Sequence, residues 1–126
     1  MKSEHQKIKE KAWKEFSIFI RRRDKRCVTC KKVFYENGEL TIKGLEAGHY
    51  HHNVLDFCEK NVSAQCGQCN KYLNGNPRKY ALFLVATYGK GILEELEKLK
   101  NSDKLIHHDA EYYTKKYTYY KAKNTI

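Results

Sequence analysis

The sequence predicts a small α+β domain tied together by one four-cysteine metal site. Three observations lead there. Two Cys-x-x-Cys pairs, Cys27/Cys30 and Cys66/Cys69, have the spacing of paired zinc knuckles. Between them lie short β-prone segments joined by an Asn-Gly turn, and on either side run segments with apolar residues at helical spacing. A length of 126 residues suits one domain. It divides into a basic N-terminal helix (1–26), a zinc-stabilised core (27–76) and C-terminal helices with a basic tail (77–126).

Each element has its own warrant. Ile8, Ala12, Phe16, Phe19 and Ile20 recur at helical spacing, which predicts a helix over residues 4–24. It ends in Arg21, Arg22 and Arg23, where cations suit the negative end of the helix dipole. Residues 33–35 and 40–43 read as strands joined by Glu36-Asn37-Gly38-Glu39, a hairpin turn. Residues 45–50 form a further extended segment, and residues 61–65 lead into the second knuckle. A short helix is expected over 66–73, stopped by Asn74-Gly75. Asn76-Pro77 reads as the cap and first residue of another helix that ends before Gly89. Ile92, Leu93, Leu96 and Leu99 mark the face of the next, and residues 109–123 form a last, Tyr- and Lys-rich helix. Its tyrosines pack on the core or stack on unpaired bases.

Charge indicates the partner. Residues 1–32 hold 12 basic and 4 acidic side chains, net +8; residues 33–111 hold 9 and 11, net −2; residues 112–126 hold 4 and none, net +4. Two basic ends around a near-neutral middle predict a grip on a polyanion, and nucleic acid is the expected partner. Arg21, Arg22, Arg23, Lys25, Arg26, Lys31 and Lys32, with Lys71, Lys115, Lys116, Lys121 and Lys123, are the expected phosphate contacts. The longest apolar run, residues 81–86, is six long, and residues 1–5 are polar, so neither a membrane span nor a secretory signal is expected. Without export, four paired cysteines read as a Zn²⁺ site rather than as disulfides; a redox Cys-x-x-Cys is the rival for either pair alone. Cys58 reads as a small buried hydrophobe.

The chemistry concentrates in Glu46-Ala47-Gly48-His49, Asn61 and the run Cys66-Gly67-Gln68-Cys69-Asn70-Lys71-Tyr72-Leu73-Asn74-Gly75. A histidine on a strand, an asparagine on the loop that follows and polar residues on a helix opening at a knuckle resemble an HNH (ββα-metal) nuclease. Residues 12–16, 20–24, 47–50 and 65–75 are similar, in order and spacing, to the phage NinG/Rap recombination proteins. That resemblance implies an HNH-like ββα-metal core, a DNA endonuclease activity in recombination on branched or Holliday-junction DNA, and a location in the cytoplasm of a bacterial host.

Phosphodiester hydrolysis needs an activated water and relief of charge on the phosphate. His49 is the expected general base, because a neutral imidazole accepts a proton near neutral pH. Asn61 is expected to hold that imidazole, as the middle residue of HNH sites does. Asn70 and Asn74 lie one helical turn apart and are expected ligands of a catalytic Mg²⁺ or Mn²⁺. Many HNH domains have Asp or His immediately before the base, and here Gly48 stands there. Glu46 shares its strand face and is the expected substitute ligand. His51 and His52 are alternative bases or exposed loop residues, and His107 and His108 fit no ligand spacing. The leading function is therefore a metal-dependent DNA endonuclease on branched or single-stranded DNA, possible as a homodimer because a resolvase cuts two strands. A non-catalytic zinc-knuckle nucleic-acid-binding protein is the alternative, with a single-strand RNA-binding zinc protein a weaker third reading.

Overall fold

The computed structural model describes residues 1–126. Four helices, α1 (Glu4–Asp24), α2 (Pro77–Tyr88), α3 (Ile92–Asp103) and α4 (Ala110–Asn124), surround two separate antiparallel pairs. These pairs are β1 (Phe34–Glu36) with β2 (Glu39–Thr41), and β3 (Leu45–His49) with β4 (Val62–Cys66). No helix is long and apolar enough to cross a membrane.

Helix α1 starts in a reciprocal capping box between Ser3 and Gln6 and ends at Lys25, whose φ of 63° turns the chain left-handed. Ala12, Phe16 and Ile20 are fully buried, and they meet Tyr113 and Tyr120 of α4 together with Phe57 and Val62. The two helices run parallel: His5 reaches the His108 carbonyl near the start of α4, and Arg22 reaches the Asn124 carbonyl at its end. The basic ends of the sequence therefore meet at one end of the molecule.

Three sequence expectations need correction. The first hairpin is shifted, with strands over Phe34–Glu36 and Glu39–Thr41 instead of 33–35 and 40–43. Residues 62–66 form a strand paired with β3 in register Leu45↔Cys66, Glu46↔Gln65, Ala47↔Ala64, Gly48↔Ser63 and His49↔Val62. All five are buried, so the alternation that advertises a half-exposed strand is absent. The expected helix over 66–73 is a π-helical turn, Gln68–Tyr72. Asn76 and Pro77 do stand at the cap and first turn of α2, but with a φ of 51° the Asn76 side chain makes no capping bond and its amide donates to Cys69 Sγ.

Period two sorts the β3 side chains. Ala47 packs on the α1 core and the His49 ring lies against Trp13, so this face looks toward α1. Glu46 and Gly48 look the other way, toward Asn70 on the π-helical turn. Tyr80 of α2, buried among Leu55, Leu84, Ile92 and Leu96, donates to the Gly48 carbonyl at 2.6 Å and pins the second helical layer to the strand.

Arg23, an expected phosphate contact, is spent inside the fold. Its guanidinium donates to the Glu59 and Val62 carbonyls, both at 2.9 Å, and to Asp24. Asp24 in turn accepts the Ala64 amide at 2.8 Å, so the end of α1 caps β4. Removing a charged, largely buried donor leaves these acceptors unpaired. Arg23→Ala should lower unfolding stability by about 3 kcal/mol, whereas Lys25→Ala, at an exposed position, should change it little; urea denaturation measures both.

Candidate functional site

The sulfurs of Cys27, Cys30, Cys66 and Cys69 all lie within 4.8 Å of one another, with Cys30 and Cys66 3.6 Å apart. A tetrahedron with Zn–S bonds of about 2.3 Å has edges near 3.8 Å, so this donor set fits zinc. The surroundings are those of a sulfur cage. Cys27 Sγ is 3.2 Å from the Thr29 hydroxyl, the Cys69 amide points at Cys66 Sγ at 3.5 Å, and Asn76 donates to Cys69 Sγ at 3.6 Å. Burial pushes the Cys27 thiol up, but the Thr29 hydroxyl and backbone amides outweigh it and bring it down to about 6. Cys30, although exposed, is pushed up to about 12 by desolvation and by the Cys27, Cys66 and Cys69 sulfurs beside it, and burial raises Cys66 as well. Four thiolates this close repel one another, and a bound cation removes that conflict. No other group of three or more His, Cys, Asp or Glu ligand atoms comes close enough to share an ion.

His49 ends β3. Its ring stacks on Trp13 at 5.1 Å between centroids and 11° between planes. Nε2 is sealed from solvent and lies 3.2 Å from Asp56 Oδ1, off the line of an aligned hydrogen bond. His49 is the main influence holding the Asp56 carboxyl below its usual range. Asn61 makes no hydrogen bond to this ring. Fully buried, it accepts the His51 amide at 2.9 Å and donates to the carbonyls of His51, Val54 and Leu55. It clamps the loop that carries Asp56. His51 is tucked against Glu97 at 3.7 Å, and burial followed by Lys100 lowers its pKa. His52 is exposed and lies beside Gly75.

On the opposite face of β3, Asn70 Nδ2 donates to Glu46 Oε1 at 2.8 Å and Lys71 Nζ pairs with Glu46 Oε2 at 2.9 Å. Burial raises the Glu46 carboxyl, but Asn70 and Lys71 outweigh it and hold it below the usual range. The structure thus joins Glu46, Asn70 and Lys71, leaves Asn74 exposed, and sets His49 on the other side of the strand. Lys71 is a counter-ion of Glu46 in this arrangement.

Gly48 has a physical cause. A Cβ there would sit 2.0 Å from Gln65 Oε1 and 2.9 Å from Asn70 Oδ1. Gln65 is fully buried and cannot yield, because its amide nitrogen donates to the Gly75 carbonyl at 2.7 Å and to Thr29 Oγ1 at 3.2 Å. Its oxygen has no conventional donor and faces the Gly48 Cα, a weak C–H···O contact. Asp or His at position 48 has no room.

The remaining basic residues differ in freedom. Lys25 and Arg26 are exposed at the end of α1. Arg22 donates to the Asn124 carbonyl at the end of α4, and Arg21 bonds Ser17. Lys31 reaches the Val28 carbonyl, and Lys32 lies 5.0 Å over the Phe34 ring. On α4, Lys116 and Lys123 lie over Tyr112 and Tyr119, Lys121 bonds the Tyr117 hydroxyl, and Lys115 pairs with Glu111. Tyr113 and Tyr120 are core residues, while Tyr119 is half exposed. The residues that sequence reasoning missed, Trp13, Asp56 and Gln65, come from α1, a loop and β4, and no local motif joins them.

Two consequences can be tested. One equivalent of zinc should bind and survive gel filtration, and Cys66→Ser or chelation should collapse the far-UV and near-UV circular dichroism together. A folded, zinc-free preparation would contradict the cage. Gly48→Ala should destabilise the fold by about 1–3 kcal/mol, as overpacking does, and Gly48→Asp should do so at least as strongly; thermal melts decide.

Comparison with known proteins places the chain. Residues 1–125 match the family model described as Bacteriophage Lambda NinG protein. Protein ninG of Escherichia phage lambda is 32% identical over 98 residues, covering 73% of this chain and 45% of that protein. Protein ninG of Salmonella phage P22 is 32% identical over 94 residues, covering 70% and 43%. The chain therefore spans less than half the length of the curated relatives it matches. No solved structure matches it. With the family model matched from residue 1 to residue 125, this chain belongs to the NinG family.

Proposed function

We propose that the chain is the metal-dependent endonuclease module of a NinG protein, cutting branched or single-stranded DNA in phage recombination, with an HNH-like core. The observation that carries the reading is the His49 centre. A histidine at a strand end is held on one side by an aromatic ring and a carboxylate, while its Nδ1 has no protein partner and is not sealed from solvent. A group kept in that state suits proton abstraction from water. The water oxygen attacks phosphorus, its proton goes to Nδ1, and the departing sugar oxygen takes a proton from solvent.

Glu46 and Asn70 supply adjacent hard oxygen donors, which fit Mg²⁺ or Mn²⁺ once Lys71 gives way. Such an ion supplies Lewis-acid relief of the phosphate charge. Arg26 and Lys25, beside Lys121 and Lys123, form the DNA-gripping end, since parallel α1 and α4 bring both C-terminal ends together. The branched-DNA element rests on the family resemblance. One observation favours the second reading, a non-catalytic zinc-knuckle DNA-binding protein: Glu46 and Asn70 face away from His49.

His49→Ala should leave zinc content and DNA affinity at parental values and slow single-turnover cleavage of flap or four-way junction DNA by about 10²–10⁴-fold. Cleavage should require Mg²⁺ or Mn²⁺ and need more of it in Glu46→Gln. Parental rates in His49→Ala, with loss in His52→Ala, would move the base to His52; no cleavage by the parent with either ion would favour the binding protein. DNA affinity should fall steeply with salt, because phosphate contacts release counterions.

A further inference from the structure

We propose that Asp56 is the positioning residue of His49, holding the imidazole proton on Nε2 and leaving Nδ1 as its basic nitrogen. The claim that this tautomer serves proton abstraction rests on the reading above; the pairing itself does not.

Four independent features converge on the pair. Asp56 Oδ1 is the nearest acid to Nε2, at 3.2 Å, and Nε2 is closed off from water. An unprotonated nitrogen at that distance would set a lone pair against the carboxylate, so the contact is attractive only when Nε2 carries the proton, even off the ideal hydrogen-bond line. Trp13, stacked nearly parallel on the imidazole face, stops the ring from rotating away. Lys9 Nζ, 4.0 Å from Asp56 Oδ2, helps keep the carboxylate ionised and turned inward.

The fourth feature is the loop. Leu55, immediately before Asp56, has a φ of 53°, a left-handed conformation that is costly for a branched side chain. Both of its backbone polar groups are held by side chains. Its amide donates to Asp103 Oδ2 at 2.8 Å, and its carbonyl accepts from buried Asn61 at 3.3 Å. His108 holds the other oxygen of Asp103 at 3.0 Å. A strained residue fixed from both ends is over-determined, and such strain gathers where a side chain must be aimed. Here it aims Asp56. Asn61 thus reaches the imidazole through Asp56 rather than directly.

The test uses the full-length, zinc-loaded chain with ¹⁵N-labelled histidine. At alkaline pH, where the ring is neutral, the two-bond ¹⁵N–¹H spectrum should show His49 as the Nε2–H tautomer. Asp56→Asn, whose amide can donate to Nε2, should move the proton to Nδ1, while Asp56→Glu should largely keep the parental tautomer. A catalytic acid–base group contributes about 10²–10⁴-fold. On junction DNA, Asp56→Asn should therefore lower kcat at least tenfold with KM unchanged, Asp56→Glu should recover part of the loss, and adding Asp56→Asn to His49→Ala should cost nothing more. A parental Nδ1–H tautomer, or a tautomer indifferent to Asp56→Asn, overturns the proposal whatever the activity. If the tautomer switches as expected while His49→Ala cleaves like the parent, the pairing stands and the base assignment falls.

Discussion

The structure depends on Cys66 being at once the last residue of β4 and a sulfur of the cage. Only 24 of 126 residues are buried, and nearly all the buried apolar side chains fall into three separate clusters, so no single apolar core holds the chain. A fold this thin needs a staple. The four sulfurs lie where the first knuckle, β4 and the π-helical turn meet, so an ion held by them would be that staple. The Val28 amide bonds the Ala64 carbonyl at 2.9 Å beside it, so the knuckle also extends the hairpin's hydrogen bonding. Gln65, one residue before Cys66, spreads the same constraint through Thr29 and Gly75. Ordering the cage therefore orders both faces of β3.

Much of this was legible in the sequence, because it is written locally. Helical apolar spacing, the two knuckles and the Asn-Gly turn each depend on residues a few positions apart, and the four helices and the cage fall where those signals put them. What was not legible depends on partners far away in the chain. Val62-Ser63-Ala64-Gln65-Cys66 is buried on both faces, so its polar Ser63 and Gln65 hid a strand. Arg23 looked like a free cation because composition counts charges and not the carbonyls waiting for them. Gly48 looked like a lost ligand because nothing in its neighbours announces Gln65 pressing on its Cα. Asn61 was found, but its partners are backbone atoms of the following loop, which spacing does not reveal.

The parallel pairing of α1 and α4 changes how the net charge is read. Two helix C-termini brought side by side place two sets of unpaired carbonyls, and two negative dipole ends, in one region. Arg22 answers the α4 carbonyls directly, and Asn124 donates back to Glu15 at 2.7 and 3.0 Å. Part of the basic excess is therefore internal compensation. Arg22 and Arg23 thus have donors committed inside the fold, while Lys25 and Arg26 beside them stay exposed.

The opposed facing of His49 and Glu46 also has a geometric resolution within the strand itself. Neighbouring residues of a strand point to opposite faces, so a base at 49 and a ligand at 46 or 48 cannot share one along its length. A strand's two faces become one surface only at its end, and β3 ends at His49. Beyond it lies buried Gly75, where an added Cβ would reach ordinary contact with the His49 carbonyl and the His52 ring. The glycines at 48 and 75 then act through one residue: the missing Cβ at 48 leaves room for Gln65 Oε1, and the carbonyl of 75 accepts the Gln65 amide at 2.7 Å.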